Sequence, residues 1–330
     1  IRAASVAGSD LRPDAADSTI VRSKSLALND LGGVASAAPF GGVCDAAGTY
    51  GAYTTLQDAD DALDAGDYSL YVKTGTYAGP LNITTNDAEV YFEPGTIVQD
   101  TIVVTGNNVT LRFGAGCDIQ DWIALRGTGG SLLFENGCSV RALVIAGNNS
   151  FVDGGGWGTV VTTTVYDARY DAGVIRITGN NCLVQNIAAT ATNVAMAGAF
   201  VLAGSDDRVS HCYFYGSQAY SSMSGTRLTI EDCLFNITNT GTYQVRLWEA
   251  ALAVVKGNRF LDQTGTATGL VVAGSTNGSD NCQIIDNLIE EDSKSIDILA
   301  GSAGGLLDGN VVNVAITDAG GYTAGDVVVY

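Results

Sequence analysis

Apolar and polar residues alternate in short runs that recur along this chain. Ile175-Arg-Ile177, Phe200-Val-Leu202, Val245-Arg-Leu247, Leu270-Val-Val272 and Ile296-Asp-Ile298 each place apolar residues two positions apart. Period two predicts strands with one buried face. A second line of strands reads Val209-Ser-His-Cys-Tyr-Phe214, Ile230-Glu-Asp-Cys-Leu-Phe235, Val255-Lys-Gly-Asn-Arg-Phe260, Ile284-Ile-Asp-Asn-Leu-Ile289 and Leu307-Asp-Gly-Asn-Val-Val312. Earlier in the chain Phe92-Glu-Pro-Gly95, Phe113-Gly-Ala-Gly116 and Phe134-Glu-Asn-Gly137 begin at intervals of 21 residues. Between the strand lines sit turn clusters such as Gly179-Asn-Asn181, Gly204-Ser-Asp-Asp207 and Gly274-Ser-Thr-Asn277.

A fixed period of this size marks a solenoid, whose units bury their apolar faces only against their neighbours. Helical solenoids require helix-forming runs in every unit, and these units lack them. The repeats are rich in Val, Ile, Thr and Gly, and 42 glycines with only 4 prolines suit many tight turns between short strands. Like strands then stack in parallel from coil to coil. The expected fold is all-β: a right-handed, single-stranded parallel β-helix of about ten coils, with its hand taken from the rule for parallel crossovers. At about 4.8 Å per coil the rod is on the order of 50 Å long. Before the coils, Thr54 to Leu63 sets Leu56, Ala59, Ala62 and Leu63 on one helical face behind a Thr N-cap. This short N-terminal helix is expected to cap the open end of the solenoid.

The stretch Tyr53-Thr-Thr-Leu-Gln57, Leu70-Tyr-Val-Lys-Thr-Gly-Thr-Tyr77 and Leu81-Asn-Ile83 resembles the opening of the pectin-lyase-like β-helix superfamily. That group includes pectate and pectin lyases, pectin methylesterases, polygalacturonases and many bacteriophage tailspikes. The resemblance spans roughly residues 45 to 315 and implies a polysaccharide-binding groove on an outer face of stacked strands. Its shared residues are structural. The signatures of the enzymes are missing: the chain has few bases for a lyase, no grouped acids with His and Arg-Lys motifs for a hydrolase, and Ala78 where the esterases place a Glu. Asp206-Asp207 followed by His211 aligns as a turn and then a strand. Catalytic residues are therefore not assigned, and the balance points away from an enzyme.

Composition narrows the partners. Sixteen basic against 35 acidic residues give a net charge of −19, a surface that repels nucleic acid and anionic membranes. No apolar run reaches the 18 residues of a membrane span. Seven cysteines without a CxxC motif and a single histidine, His211, argue against a zinc site, and neither metal nor cofactor is expected. Asp58, Asp60, Asp61 and Asp64 lack the Gly and Glu of a calcium loop and read as the solvated side of the cap helix. Cys212 and Cys233 take the stack position held by Asn186, Asn258, Asn287 and Asn310, so the cysteines read as buried thiols. Stacked pairs such as Cys117–Cys138 and Cys212–Cys233 are nonetheless within disulfide reach. Residues 1–44 break the repeat and read as an attachment arm, residues 45–315 as the β-helix, and residues 316–330 as a C-terminal strand that packs on the last coil or on another subunit.

Two places could hold a ligand. In the best-aligned strand line the outward positions are Arg176, Val201, Arg246, Val271 and Asp297, with Trp248 and Glu249 just beyond Arg246. Arg246, Trp248 and Glu249, with Arg176 about three coils away, suit a sugar: an aromatic plate for a pyranose and charged groups for hydroxyls or carboxylates. A Trp sealing a coil junction is the plainer alternative. The second place is the interval Trp157 to Asp171, which lengthens one coil and contains Tyr166, Arg169 and Tyr170. Long loops on a rigid scaffold often carry binding residues. The expected function is recognition of cell-surface polysaccharide by a trimeric spike of a phage or phage-like particle, docked to other particle proteins through residues 1–44. A secreted polysaccharide lyase or glycoside hydrolase, and a purely structural decoration protein, stand as alternatives.

Overall fold

A computed structural model describes residues 42–49, 53–64, 69–156, 160–163, 175–191, 200–216, 221–237, 244–248, 250–262, 271–273, 279–290, 296–313 and 315–329. The strands stack into three parallel faces. The first face is a sheet of thirteen strands, from Gly42–Cys44 through Ser69–Val72 and on to Thr323–Ala324. The second runs from Thr76–Tyr77 to Val327–Val329, and the third from Leu81–Ile83 to Thr317–Asp318. From Ser69–Val72 to Thr317–Asp318 each coil contributes to all three faces, and every pairing is parallel, with the next coil. In two coils the second- and third-face strands fuse into single strands, Asp118–Leu125 and Ser139–Ile145, which pair across a β-bulge near Val140 and Ala142.

Alternation along each strand fills the interior. Ile175 and Ile177 are buried while Arg176 between them faces outward, and Val245-Arg246-Leu247 and Ile296-Asp297-Ile298 repeat the pattern. Like residues meet on successive coils. Phe92, Phe113 and Phe134 stack with ring centroids 4.6 and 4.8 Å apart, and Phe214, Phe235 and Phe260 do the same at 4.7 Å. One core runs from Cys44 to Tyr322. At its N-terminal end lies helix α1, Leu56–Asp64. Thr55 Oγ1 accepts the Asp58 amide as the N-cap, and Leu56 and Ala59 are buried against the first coils. Asp60 departs from the solvated helix side expected of it. It is buried, and accepts a hydrogen bond from Gln57 Nε2 at 3.2 Å.

Turns differ sharply between the three corners. From third face to first, seven successive turns have five residues each: 84–88, 105–109, 126–130, 146–150, 178–182, 203–207 and 224–228. They are held by a glycine column so tight that a Cβ on Gly127 would lie 1.9 Å from the Gly106 carbonyl oxygen. Beside it runs a ladder of asparagines, in which the Thr128 amide donates to Asn107 Oδ1 and the Asn180 amide to Asn148 Oδ1, both at 2.9 Å. From first face to second the turns are four residues at 93–96, 114–117 and 135–138, then two residues at 186–187, 211–212, 232–233, 257–258 and 286–287. From second face to third they range from three residues (78–80) to eleven (164–174). Insertion is concentrated at that last corner.

The two-residue turns, continued by the first residue of the strand Asn310–Val312, contain a buried polar ladder. Asn258, Asn287 and Asn310 are each almost fully buried. Asn287 Oδ1 accepts both the backbone N–H (3.0 Å) and the side-chain N–H (3.1 Å) of Asn258, and Asn287 Nδ2 donates to the Val255 carbonyl (2.9 Å) and to Asn310 Oδ1 (3.0 Å). Cys233 and Cys212 continue the same column, the Cys233 amide donating to Asn258 Oδ1 at 2.9 Å. Asn186 does not belong to it. It sits one residue earlier, at the left-handed position (φ 58°) shared by His211 and Asp232, and Ile187 takes the ladder position. All seven cysteines are buried free thiols, and burial pushes Cys182 up to about 11.

Removing one rung leaves neighbouring donors and a carbonyl in the core without partners. Asn287→Ala should therefore cost on the order of 3 kcal/mol. Chemical denaturation should show a lower midpoint with little change in slope; an unchanged midpoint would mean that the ladder contributes no net stability.

Candidate functional site

The third face has a continuous row of backbone partners, in which Arg176, Arg246 and Asp297 face outward. Hydrogen-bonded register links Ala124, Val144, Arg176, Val201, Ser222, Arg246, Val272 and Asp297 as successive partners. Arg176 and Arg246 are thus three rungs apart, about 14 Å. The rung at Ser221–Met223 completes a row in which the alternation pattern alone leaves a gap. Val272, and not Val271, pairs with Arg246 and Asp297. Leu270, Val271, Val272 and Ala273 are all apolar, so period two cannot fix the register there, and the strand begins one residue later than the pattern suggests.

Arg246 and Trp248 lie two apart and point to the same side. The Arg246 guanidinium carbon sits 3.3 Å from the centroid of the Trp248 ring, close enough for a stacked cation–π contact. Arg246 is half-buried. Trp248 keeps 37% of its surface exposed, with its backbone held by a 2.7 Å hydrogen bond to the Met223 carbonyl. It opens the first third-to-first turn to exceed five residues, 248–253. The ring is therefore presented at the surface and does not seal the core. Glu249 lies outside the described residues.

The long interval divides into two parts. The strand Val160–Thr163 of the second face runs through it and pairs with Ser139 and Val140. Trp157 falls in the segment before this strand. Tyr166, Arg169 and Tyr170 fall in the segment after it, which leads to Ile175–Ile177. These four lie outside the described residues.

A second arginine–tryptophan pair lies on the same face. Trp122 and Arg126 flank Ala124 at two residues on either side, and the Arg126 guanidinium carbon is 5.7 Å from the Trp122 ring centroid. Ala124 points outward by alternation yet is fully buried. The adjacent β-bulge sets Gln120 and Asp121 opposite Arg141. Trp122-Ile-Ala-Leu-Arg126 carries the same period-two signal as Arg246-Leu-Trp248, so this pair was available from the sequence but not singled out.

The acidic candidates have structural partners. Arg227 holds Asp206 through a 2.6 Å hydrogen bond that lowers its carboxyl pKa. His211 Nε2 stands 3.9 Å from Asp232 Oδ2, both at left-handed turn positions on the surface. Asp207 is 1% exposed, and its Oδ1 accepts the Cys182 amide at 2.9 Å. Burial is the main cause that pushes its carboxyl from the usual 3.8 to about 6, helped by Asp206 and opposed by the bonds from Cys182. Among the described residues no group of three or more His, Cys, Asp or Glu is placed to hold a metal ion, and no helix is long and apolar enough to cross a membrane.

This geometry defines a three-faced parallel β-helix with aromatic and cationic side chains presented on one face. Residues 148–312 match the right-handed beta helix region family, which is half of the chain, and the protein belongs to that family. Membership fixes the hand of the solenoid as right-handed. The solved structure of the Streptococcus pneumoniae surface protein and adhesin PfbA is similar over 83% of this chain and 95% of that chain, at 10% sequence identity and a TM-score of 0.37. An overlap this loose transfers neither residue nor activity. No curated protein matches the chain.

Asp207 yields a pH prediction. A carboxyl raised in the folded state favours folding while it is protonated and loses that contribution as pH climbs from about 4 through about 6. Asp207→Asn keeps an acceptor for the Cys182 amide without the buried charge. The variant should melt higher than wild type at pH 7.5, and the difference should vanish below pH 4. Thermal melts across that range would refute the assignment if the two curves stayed parallel.

Proposed function

We propose that this protein recognises polysaccharide through the third face of its β-helix, as a surface spike of a phage or phage-like particle. The observation that supports the reading is the stack of Arg246 on an exposed Trp248, a flat aromatic surface beside a fixed positive charge. A pyranose ring packs its C–H face on an indole, while a guanidinium binds hydroxyls or a carboxylate at its edge. A rigid solenoid positions such groups without an ordering cost at binding. The particle setting rests on the resemblance of residues 45–315 to the superfamily that includes tailspikes, and on a non-repeating segment before the coils. In this reading the assembled spike is a homotrimer that docks through residues 1–44.

Incubation of the purified protein with surface polysaccharides, followed by gel filtration, tests the reading. Intact polymer should co-elute with protein. Trp248→Ala should weaken binding by about thirtyfold, the effect of losing an interface hot spot worth about 2 kcal/mol. A folded Trp248→Ala variant that binds like wild type would remove the site. Shortened polymer would replace the binding spike with a lyase or hydrolase, and a broad panel with neither result would favour a structural decoration protein.

A further inference from the structure

We propose that Cys117 and Cys138 form a binding site for one soft cation of the Cu(I) type, held in a straight line between the two sulfurs as a clip joining successive coils. The site lies at the first-to-second corner, in the turns 114–117 and 135–138, and is independent of the glycan reading of the third face.

Register brings the sulfurs together. Phe113 pairs with Phe134 and Asp118 with Ser139, so the cysteines that close the two intervening turns are one rung apart. The side chains also point alike. Cys117 Sγ donates to the Glu93 carbonyl and Cys138 Sγ to the Gly114 carbonyl, each at 3.3 Å. Glu93 and Gly114 directly follow the paired residues Phe92 and Phe113. Two side chains with equivalent bonds on successive coils are copies displaced along the axis, which sets their sulfurs about 4.8 Å apart.

That distance selects the bridge. A disulfide needs sulfurs about 2 Å apart, and these would have to close more than half the gap inside a packed core. A thiolate–metal bond of about 2.3 Å, the value for zinc, makes a linear sulfur–metal–sulfur bridge about 4.6 Å long, close to one rung. Among the described residues no third His, Cys, Asp or Glu joins the pair to make a metal-holding group, which leaves tetrahedral zinc short of ligands. The cations that accept two thiolates in a line are soft, closed-shell ions such as Cu(I).

The surroundings suit a thiolate. The N–H groups of Gly95 and Thr96 lie against the Cys117 sulfur, and those of Gly116 and Cys117 against the Cys138 sulfur. Donors directed at sulfur favour the anionic form that ligates metal. Both cysteines are buried, whereas Ala115, Gly116 and residues 135–137 of the same turns are exposed, so the sulfurs lie one layer beneath the surface. Binding exchanges two S–H protons, which leave to solvent, for one cation. Other cysteines are placed differently. Beside Cys182 on the neighbouring coils stand Ser150 and Asp207, and beside Cys282 stand Ala253 and Gly305. Cys212 and Cys233 are also one rung apart, but Cys233 Sγ accepts the Cys212 amide at 3.4 Å and serves as a rung of the buried ladder.

The test is an anaerobic titration of the reduced full chain with Cu(I) against the chelator bicinchoninate, with Zn(II) as the comparison ion. Wild type should draw Cu(I) from the chelator and leave Zn(II) in solution. Loaded protein should melt higher, because the cation joins the coils only in the folded state. Cys117→Ala and Cys138→Ala should each lose one equivalent of Cu(I), with Cys117→Ser and Cys138→Ser repeating the comparison at a smaller change of volume. Cys282→Ala, an equal loss of a buried thiol, should keep it. X-ray absorption of loaded wild type should show two sulfur neighbours and no nitrogen. Retention of that equivalent by a folded variant at either Cys117 or Cys138 would overturn the two-sulfur site, as would a different ligand count in wild type. Equal uptake of Zn(II) would overturn the soft-cation class. Recovery of a Cys117–Cys138 disulfide from the chain purified without reductant would replace the clip with a covalent cross-link.

Discussion

Parallel pairing between successive coils governs this molecule. Each strand gives its backbone donors and acceptors to the coils before and after it, so a coil keeps its own hydrogen bonds only by matching its neighbours in height and register. The turns inherit that demand. At the third-to-first corner a missing side chain lets one carbonyl nest under the next coil, as at Gly127 over Gly106. At the first-to-second corner, buried amides would be stranded without side-chain acceptors, and Asn258, Asn287 and Asn310 supply them. The phenylalanine stacks follow from the same spacing, since identical rings one rung apart meet face to face.

Much of this was legible in the residues. The repeat interval, the alternation of Val245-Arg246-Leu247 and the Gly-Asn-Asn clusters lead to parallel coils and to the outward position of Arg246. The strand line of the third face was legible for the same reason, whereas the division of runs such as Val209–Phe214 between the first and second faces was not. Failures came where the pattern degenerates. Four consecutive apolar residues, Leu270 to Ala273, carry no period and concealed a shift of one residue. Asn186 resembles the ladder asparagines in type, yet its left-handed backbone places it one step earlier. The interval from Trp157 to Tyr170 reads as one loop because Val160–Thr163 is short and lies among polar residues. The contact between Arg246 and Trp248 was foreseeable from their spacing, whereas its closeness needed the fold.

The face that carries both arginine–tryptophan pairs is also the one bounded by the two most different corners. On one side the five-residue turns hold the rungs at constant height through seven coils. On the other, the second-to-third segments vary from three residues to eleven. A ligand on this face would rest on the invariant part and meet the variable part along its flank. Side chains on the strands, such as Arg246, then set affinity, and neighbouring segments adjust selectivity, the usual division between scaffold and loop.

That concentration of insertions has an evolutionary consequence. A segment added between a second-face strand and a third-face strand leaves the solenoid sideways and returns to the same rung, so no hydrogen bond of the stack has to move. The penalty for lengthening it grows only as the logarithm of its length. Exchange of one such segment for another is therefore nearly neutral to folding, and that corner can be rewritten coil by coil, like interchangeable cassettes on a fixed spool.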